Sequence, residues 1–135
     1  MISSVQEKIF DVIIVGAGPS GTSCALTLRK AGLKVALIDK AEFPRDKVCG
    51  DAIPGRAVKL LAELDPKFLA AFPPHENKKR ISSTRFISFS GTEATVEWKL
   101  PAYNCVRLSF DSYLLDLVLK ESSTFFFFKN KNNRC

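Results

Sequence analysis

The segment Val12–Gly21 reads VIIVGAGPSG, and this stretch decides the fold. A strand is predicted over residues 9–15, because it holds a continuous β-branched run typical of a parallel strand buried on both faces. A glycine turn and a helix over 22–31 follow, and a second apolar strand over 35–38 ends in Asp39. The order strand, glycine turn, helix, strand predicts a βαβ unit of an α/β fold.

The three glycines are spaced as G-x-G-x-x-G, and each has a separate predicted task. Gly16 makes the tight turn out of the strand, Gly18 lets the backbone approach a diphosphate, and Gly21 lets the helix pack closely on the strand. Pro19 and Ser20 complete the turn and are predicted to contact the same cofactor. The diphosphate would meet backbone N–H groups at the positive end of the helix dipole.

Asp39 lies 23 residues after Gly16, close to the spacing of ~20 expected for a ribose-binding acid. Its carboxylate can accept hydrogen bonds from ribose hydroxyls and would repel a 2′-phosphate, so NADP is disfavoured at this position. Lys40 follows directly and is included in the predicted cofactor site. The spacing does not separate FAD from NAD, because the two cofactors share an ADP half.

The stretch that begins at Asp39, DKAEFPRDKVCGD, resembles the geranylgeranyl reductase family of FAD-dependent oxidoreductases. That family is similar to p-hydroxybenzoate hydroxylase-like flavoproteins, which include aromatic monooxygenases and flavin halogenases. The resemblance covers about residues 8–121. It implies an α/β, Rossmann-like FAD-binding unit with the start of an inserted α+β substrate domain, and FAD as cofactor. NAD(P)H is the electron donor that the family suggests.

The resemblance also assigns residues to the cofactor. It implies that Arg45 and the turn Cys49, Gly50 and Asp51 run along the flavin side of FAD. Arg107, in the sequence VRLSFD, matches the family's arginine before a helix, which contacts the cofactor region. A solvent-exposed loop cation is the alternative for both arginines, and an inert buried thiol is the alternative for Cys49. No residue is assigned a catalytic role.

Beyond the glycine unit, the sequence predicts elements of a substrate domain. These are a helix over 52–64 capped by Asp51, a helical turn over 67–72, a hairpin of strands 84–90 and 94–100, and a helix over 109–121. Trp98 and Cys24 are predicted to be core residues. The basic run Lys78–Arg80 is predicted to be a solvated loop, and His75 is predicted to be exposed.

We predict that residues 8–121 form the N-terminal part of an FAD/NAD(P)-binding domain with a hairpin around 84–100. Residues 122–135 are predicted to be an aberrant or disordered tail, because FFFFKNKNNRC shows no period of 2 or 3.6. Its residues are encoded by T-rich and A-rich codons. We therefore hypothesise a reading frame that slipped or stopped early at a homopolymer run, with a genuine short tail as the alternative.

Composition excludes several classes of function. The net charge is +6, and half of it comes from the tail, so a nucleic-acid partner is not expected. Four cysteines without a CxxC pair and a single histidine predict free thiols and no metal site. No signal peptide or membrane-length apolar run stands in the sequence. We expect a cytoplasmic protein, with peripheral membrane contact and the oligomeric state left open.

The predicted function is that of an FAD-dependent oxidoreductase acting on a small molecule, an isoprenoid or an aromatic. Geranylgeranyl-type reduction would saturate isoprenoid double bonds with hydride from reduced flavin. The alternatives are an aromatic monooxygenase of the same fold and an inactive truncated remnant. Because most of such a fold would lie downstream, we expect these 135 residues alone to bind FAD weakly or not at all, without turnover.

Overall fold

A computed structural model describes residues 8–49, 51–70, 72 and 78–121, together with the backbone of 125–129. Its elements are β1 (Val12–Val15), α1 (Pro19–Leu28), β2 (Val35–Asp39), β3 (Ala52–Ile53), α2 (Gly55–Leu64), α3 (Pro66–Ala70), β4 (Lys78–Ile87), β5 (Glu93–Cys105), α4 (Arg107–Glu121) and β6 (Phe125–Lys129). They form two compact units. One comprises Met1–Phe43 and Leu114–Cys135, and the other comprises Pro44–Tyr113.

The first unit contains a parallel sheet in the order β1-β2-β6. Val12 pairs with Val35 and Val35 pairs with Phe125, so both neighbours of β2 run in its direction. The central strand β2 is buried, since Val35, Ala36 and Leu37 are at most 1% exposed. The predicted α/β fold with a βαβ unit is therefore confirmed.

Strand β1 differs from its prediction in length and burial. It begins at Val12 rather than at Ile9, and Ile13 and Val15 are 60% and 82% exposed. Helix α1 packs on the face that carries Ile14, and no described element covers the opposite face. The expectation of burial on both faces, made for this strand, is therefore wrong.

Helix α1 spans Pro19–Leu28, so it begins and ends three residues before the predicted bounds. Proline suits the first helical position, where its missing N–H removes no hydrogen bond. Ala25 and Leu26 are buried, but Cys24 is exposed, which corrects its assignment to the core. The buried face of α1 therefore carries Thr22, Ala25 and Leu26.

The predicted tail contains a regular element. The backbone of Phe125–Lys129 forms β6, which pairs with β2 from Val35 to Asp39. Disorder is therefore wrong for these five residues, while 122–124 and 130–135 lie outside the described residues. Phenylalanine has high strand propensity, and a parallel neighbour needs no alternation of polar residues, so the missing period of 2 does not argue against a strand.

The second unit contains an antiparallel sheet in the order β3-β5-β4. The predicted hairpin is present, but its strands are longer than expected at the ends away from the turn. Strand β4 begins at Lys78, so the run Lys78–Arg80 lies in a strand that pairs with Cys105–Tyr103 rather than in a loop. Its register shifts between Ile81 and Ser83.

One face of the hairpin remains exposed. Trp98 is 48% exposed, so its assignment to the core is wrong, and its indole N–H donates to Thr84 Oγ1 at 2.9 Å. Phe86, Val96 and Leu100 are also 44–57% exposed. The core of the second unit instead surrounds Phe72 at the other end of the hairpin, where aromatic rings of Tyr103, Phe110 and Tyr113 meet it edge to face.

Helix α2 begins at Gly55, after the short strand β3, and not at residue 52. Pro54 explains the difference, because a residue before proline is kept out of helical geometry and Pro54 itself is the extended N-cap. Gly55 packs so closely on β5 that a Cβ there would lie 2.5 Å from Leu100 Cβ. Asp51 is therefore not the cap of α2.

Among the described residues, no helix combines the length and the apolar character needed to cross a membrane. His75, predicted to be exposed, and Gly50, predicted to lie along the flavin side of FAD, are outside the described residues. Their predictions are not tested.

Candidate functional site

The first candidate site is the loop between β1 and α1. Gly16 has φ +103°, a left-handed conformation that favours glycine, and its N–H donates to the carbonyl of Ile38 at 2.6 Å. Gly18 follows in extended geometry as the N-cap residue of α1. The chain thus turns sharply from the carboxyl end of β1 into the helix, as the glycine spacing predicts.

Gly21 is the point of closest approach between helix and strand. A Cβ at this position would lie 1.8 Å from the Gly16 carbonyl oxygen and 3.3 Å from Ile14 Cγ2. The Gly16 backbone and the packed side chain of Ile14 cannot move far enough to make room for that Cβ. The predicted task of Gly21, close packing of the helix on the strand, therefore matches the geometry.

The first turn of α1 forms an electropositive end that no described side chain caps. It holds no acidic residue, and Pro19 occupies its start. The Thr22 N–H already donates to the Gly18 carbonyl at 3.0 Å, so the donors nearest the loop belong to Ser20 and Gly21. Backbone N–H groups of an uncapped helix start, together with the helix dipole, favour a bound anion such as phosphate.

Asp39 lies at the carboxyl end of β2 and is 8% exposed. Its Oδ2 accepts the Ala17 N–H at 2.7 Å, and its Oδ1 accepts the Ala41 N–H at 2.8 Å. The sequence predicts a ribose ligand here but not this anchoring of the glycine loop, which no spacing rule signals. Each carboxylate oxygen has a second lone pair, so the group can also accept a ribose hydroxyl. Lys40 is exposed.

A second cluster lies in the other unit and joins two segments that are far apart in sequence. The Asp111 carboxylate is fully buried and accepts hydrogen bonds from Nε and Nη2 of Arg107, each 2.7 Å long. Arg45 Nη2 lies 3.2 Å from Asp111 Oδ2. The two arginines predicted to contact the cofactor therefore share one carboxylate, and neither is merely an exposed loop cation.

Asp51 fixes the backbone of the same cluster. Its Oδ1 accepts the Arg107 N–H at 3.2 Å, and its carbonyl accepts the Cys105 N–H at 2.8 Å. The residue thus caps α4, and not the helix predicted to begin at residue 52. Its φ of +53° is a conformation that aspartate tolerates better than most residues.

Neighbouring side chains stabilise the positive charge of Arg107. The hydrogen bonds to Asp111, and to a smaller extent to Cys49, raise the pKa of the Arg107 guanidinium above its already high ordinary value. The arginine therefore stays charged at every pH of interest. Cys49 itself is exposed, so the alternative of a buried thiol is wrong for this residue.

Asp111 was given no role by the sequence reasoning, although the sequence contains a signal for it. Arg107 and Asp111 are four residues apart, a spacing at which opposite charges meet on one helix face, but the predicted helix begins at residue 109, whereas α4 begins at Arg107. No spacing in the sequence indicates the contact of Arg45 with Asp111, because Arg45 lies in a loop far from Asp111 along the chain.

The described cysteines are expected to differ in reactivity. Burial, and then the charge of Asp51, raise the pKa of the Cys105 thiol, while Cys24 and Cys49 are exposed. Iodoacetamide at pH 8 should therefore label Cys105 at least ~10-fold more slowly than the other two. Peptide mass spectrometry measures the rates, and labelling in urea is the control, in which the difference should vanish. Equal rates in the native chain would show that Cys105 is accessible.

Comparison with known proteins places this arrangement in a family. Residues 10–100 match the family described as pyridine nucleotide-disulphide oxidoreductase. The chain belongs to this family. Menaquinone reductase of Mycobacterium tuberculosis is 40% identical over 94 residues, which make up 69% of this chain and 21% of that protein.

Two further similarities agree with the family. Geranylgeranyl diphosphate reductase of Rhodobacter capsulatus is 42% identical over 82 residues, 61% of this chain and 18% of the reductase. The structure of the flavin-dependent brominase Bmp2 has a TM-score of 0.71 and 27% identity over 87% of this chain and 29% of the brominase. The resemblance to geranylgeranyl reductases and the Rossmann-like fold are thereby confirmed. The chain spans about a fifth of the length of the two reductases.

Proposed function

We propose that the loop Gly16–Gly21 binds the ADP half of FAD, and that the chain is part of an FAD-dependent oxidoreductase related to geranylgeranyl reductases. The observation that carries this proposal is the cradle at the start of α1, where Gly21 leaves no room for a Cβ and no described side chain caps the helix. A diphosphate fits such a cradle by charge and by hydrogen bonding.

Each part of the ADP group has a partner in the proposal. The N–H groups of Ser20 and Gly21 donate to the diphosphate. Asp39, which already holds the loop through Ala17, accepts the ribose hydroxyls. FAD supplies the hydride chemistry when it is bound, and these residues hold and orient it.

The substrate class that we propose is an isoprenoid. The supporting observation is the 42% identity with a protein named geranylgeranyl diphosphate reductase, which acts on an isoprenoid diphosphate. An aromatic substrate is the second candidate, supported by 33% identity over 112 residues with a protein named 1H-pyrrole-2-carbonyl-[peptidyl-carrier protein] brominase from Pseudoalteromonas luteoviolacea. NAD(P)H as electron donor and peripheral contact with a membrane remain predictions.

The proposal is tested by the affinities of a ligand series for the purified 135-residue chain, measured by NMR titration because weak binding is expected. ADP and FAD should bind, and adenosine, which lacks the diphosphate, should bind at least ~10-fold more weakly than ADP. ADP carrying a 2′-phosphate should also bind more weakly than ADP, because that phosphate meets Asp39.

Equal affinity for adenosine and ADP would contradict a diphosphate cradle, and absence of any binding would leave an inactive remnant as the better description. A flavin absorbance spectrum and an NAD(P)H-oxidation assay with added FAD separate these outcomes further. Turnover by the chain alone would contradict the expectation that it carries only the front of a cofactor site.

A further inference from the structure

The hairpin β4–β5 has a strand edge that no described strand covers. Strand β5 lies between β3 and β4 in its sheet, but β3 pairs only with Tyr103 and Asn104. Residues 93–101 of β5 therefore have no described strand on the side away from β4. An unpaired strand edge presents backbone N–H and C=O groups that can form a ladder with another chain.

The hairpin turn fixes which backbone groups face this edge. The Ser88 N–H donates to the Thr92 carbonyl at 2.9 Å, so these two residues form a hydrogen-bonded pair at the end of the ladder. Hydrogen-bonded and non-hydrogen-bonded pairs alternate along antiparallel strands, and β4 and β5 keep one register from Ser83 to the turn. The backbone groups of residues 94 and 96 therefore face β4, while those of residues 93, 95 and 97 face the uncovered edge.

The two outer edges of the hairpin differ in charge. Strand β4 carries lysines and arginines but no acidic residue, so two copies of its edge would bring like charges together. Such charges are a common protection of an edge strand against pairing. Strand β5 instead carries both signs, in Glu93, Glu97 and Lys99. Its edge is therefore the one on which a second copy of the same strand finds opposite charges.

We propose that two copies of this chain associate by antiparallel pairing of their β5 edges, with a two-fold axis at Val96. This register places Glu93 opposite Lys99 of the second copy and Thr95 opposite Glu97, and the symmetry makes each pair occur twice. The outward-facing backbone groups then meet each other. Moving the axis by one residue, to Thr95 or Glu97, would place glutamates directly opposite each other, which is destabilising.

The same pairing joins two exposed apolar faces. Val96 and Trp98 are 44% and 48% exposed. In the dimer Val96 meets its counterpart and Trp98 lies opposite Ala94 of the second copy, so the two hairpins form one four-stranded sheet. A two-stranded hairpin alone is marginally stable, and a wider sheet with one apolar face is more stable. Pairing of residues 93–99 covers less than the ~800 Å² per partner of a standard interface, so we expect a weak dimer with a Kd of about 10–100 µM.

Sedimentation velocity of the full chain between about 5 and 500 µM measures the association. Trp98 is the single tryptophan of the chain, so its fluorescence reports on the interface, and its emission should move to longer wavelength as the dimer dissociates on dilution. Lys99→Glu places two glutamates opposite each other at both ends of the interface and should weaken the dimer at least ~10-fold. Combining it with Glu93→Lys restores opposite charges and should return the Kd to within about threefold of the unaltered chain.

Lys79→Glu is the matched control, because it makes the same change of charge on an exposed residue of β4 outside the paired segment. It should leave the Kd within about twofold. The substitution of Glu93 also removes its exposed contact with Arg85, at 3.6 Å, a kind of pair that contributes little. A chain that stays monomeric at every concentration would overturn the inference. A dimer that Lys99→Glu weakens no more than the control does, or that the double substitution fails to restore, would also overturn it, because its interface would lie elsewhere.

Discussion

Replacing Gly21 with alanine is expected to disrupt the βαβ unit and to abolish ADP binding. The added Cβ would lie 1.8 Å from the Gly16 carbonyl oxygen and 3.0 Å from its carbonyl carbon, both backbone atoms. Helix α1 would therefore have to move away from β1 and carry its N–H groups with it. We expect a loss of about 3 kcal/mol in the free energy of unfolding, at the upper end of overpacking costs.

Denaturant unfolding and ADP titration measure the two effects. Gly32→Ala is the matched control, because Gly32 lies in the same unit with φ +71° and no atom within 4 Å of a built Cβ. That variant should lose about 1 kcal/mol through backbone strain and bind ADP normally. A Gly21→Ala chain that is as stable as the control and binds ADP would show that the helix does not pack as described.

The second large effect is expected for Asp39→Asn. The asparagine keeps one acceptor oxygen and gains an N–H₂ group, which faces either Ala17 or Ala41. The backbone N–H of that one residue then lacks an acceptor. Because Ala17 is fully buried, we expect about 2 kcal/mol of destabilisation. ADP affinity should fall about 10-fold, equivalent to ~1.4 kcal/mol, and the discrimination against a 2′-phosphate should decrease.

Asp11→Asn provides the control for this change. Asp11 also accepts a backbone N–H, that of Lys34, at 2.7 Å, but the bond is exposed and lies at the opposite end of β1. Loss of that bond should lower the free energy of unfolding by less than about 1 kcal/mol. The affinities for ADP and for ADP carrying a 2′-phosphate should not change. If the two substitutions had the same effects on ADP binding, Asp39 would have no special part in the site.

The glycine unit could be predicted from sequence because its signals are local. Tight turning at Gly16, close packing at Gly21 and the acid at the end of β2 all follow from residue type and spacing within 30 residues. The edge position of β1 could not be predicted in the same way. Burial of a strand depends on which elements cover it, and a β-branched run reads the same whether one face or two are covered.

The second unit shows why capping assignments need the tertiary structure. Asp51 stands next to a predicted helix, and propensity alone assigns it as that helix's cap. In the structure Pro54 separates the two, and Asp51 caps α4 instead, across 56 residues of sequence. The partnership of Arg45 with Asp111 is similarly non-local, whereas that of Arg107 with Asp111 follows from helical spacing.

The proposed diphosphate site consists of the backbone amides where β1 turns into α1, and mapping ¹H–¹⁵N chemical shifts during an ADP titration tests it most directly. The amide signals of Gly16–Thr22 should show the largest shifts, with Ala41 next, because Asp39 holds its N–H. Signals of the hairpin β4–β5 should remain in place. Unmoved signals over Gly16–Thr22 at saturating ADP would contradict the account, whatever else in the chain shifted.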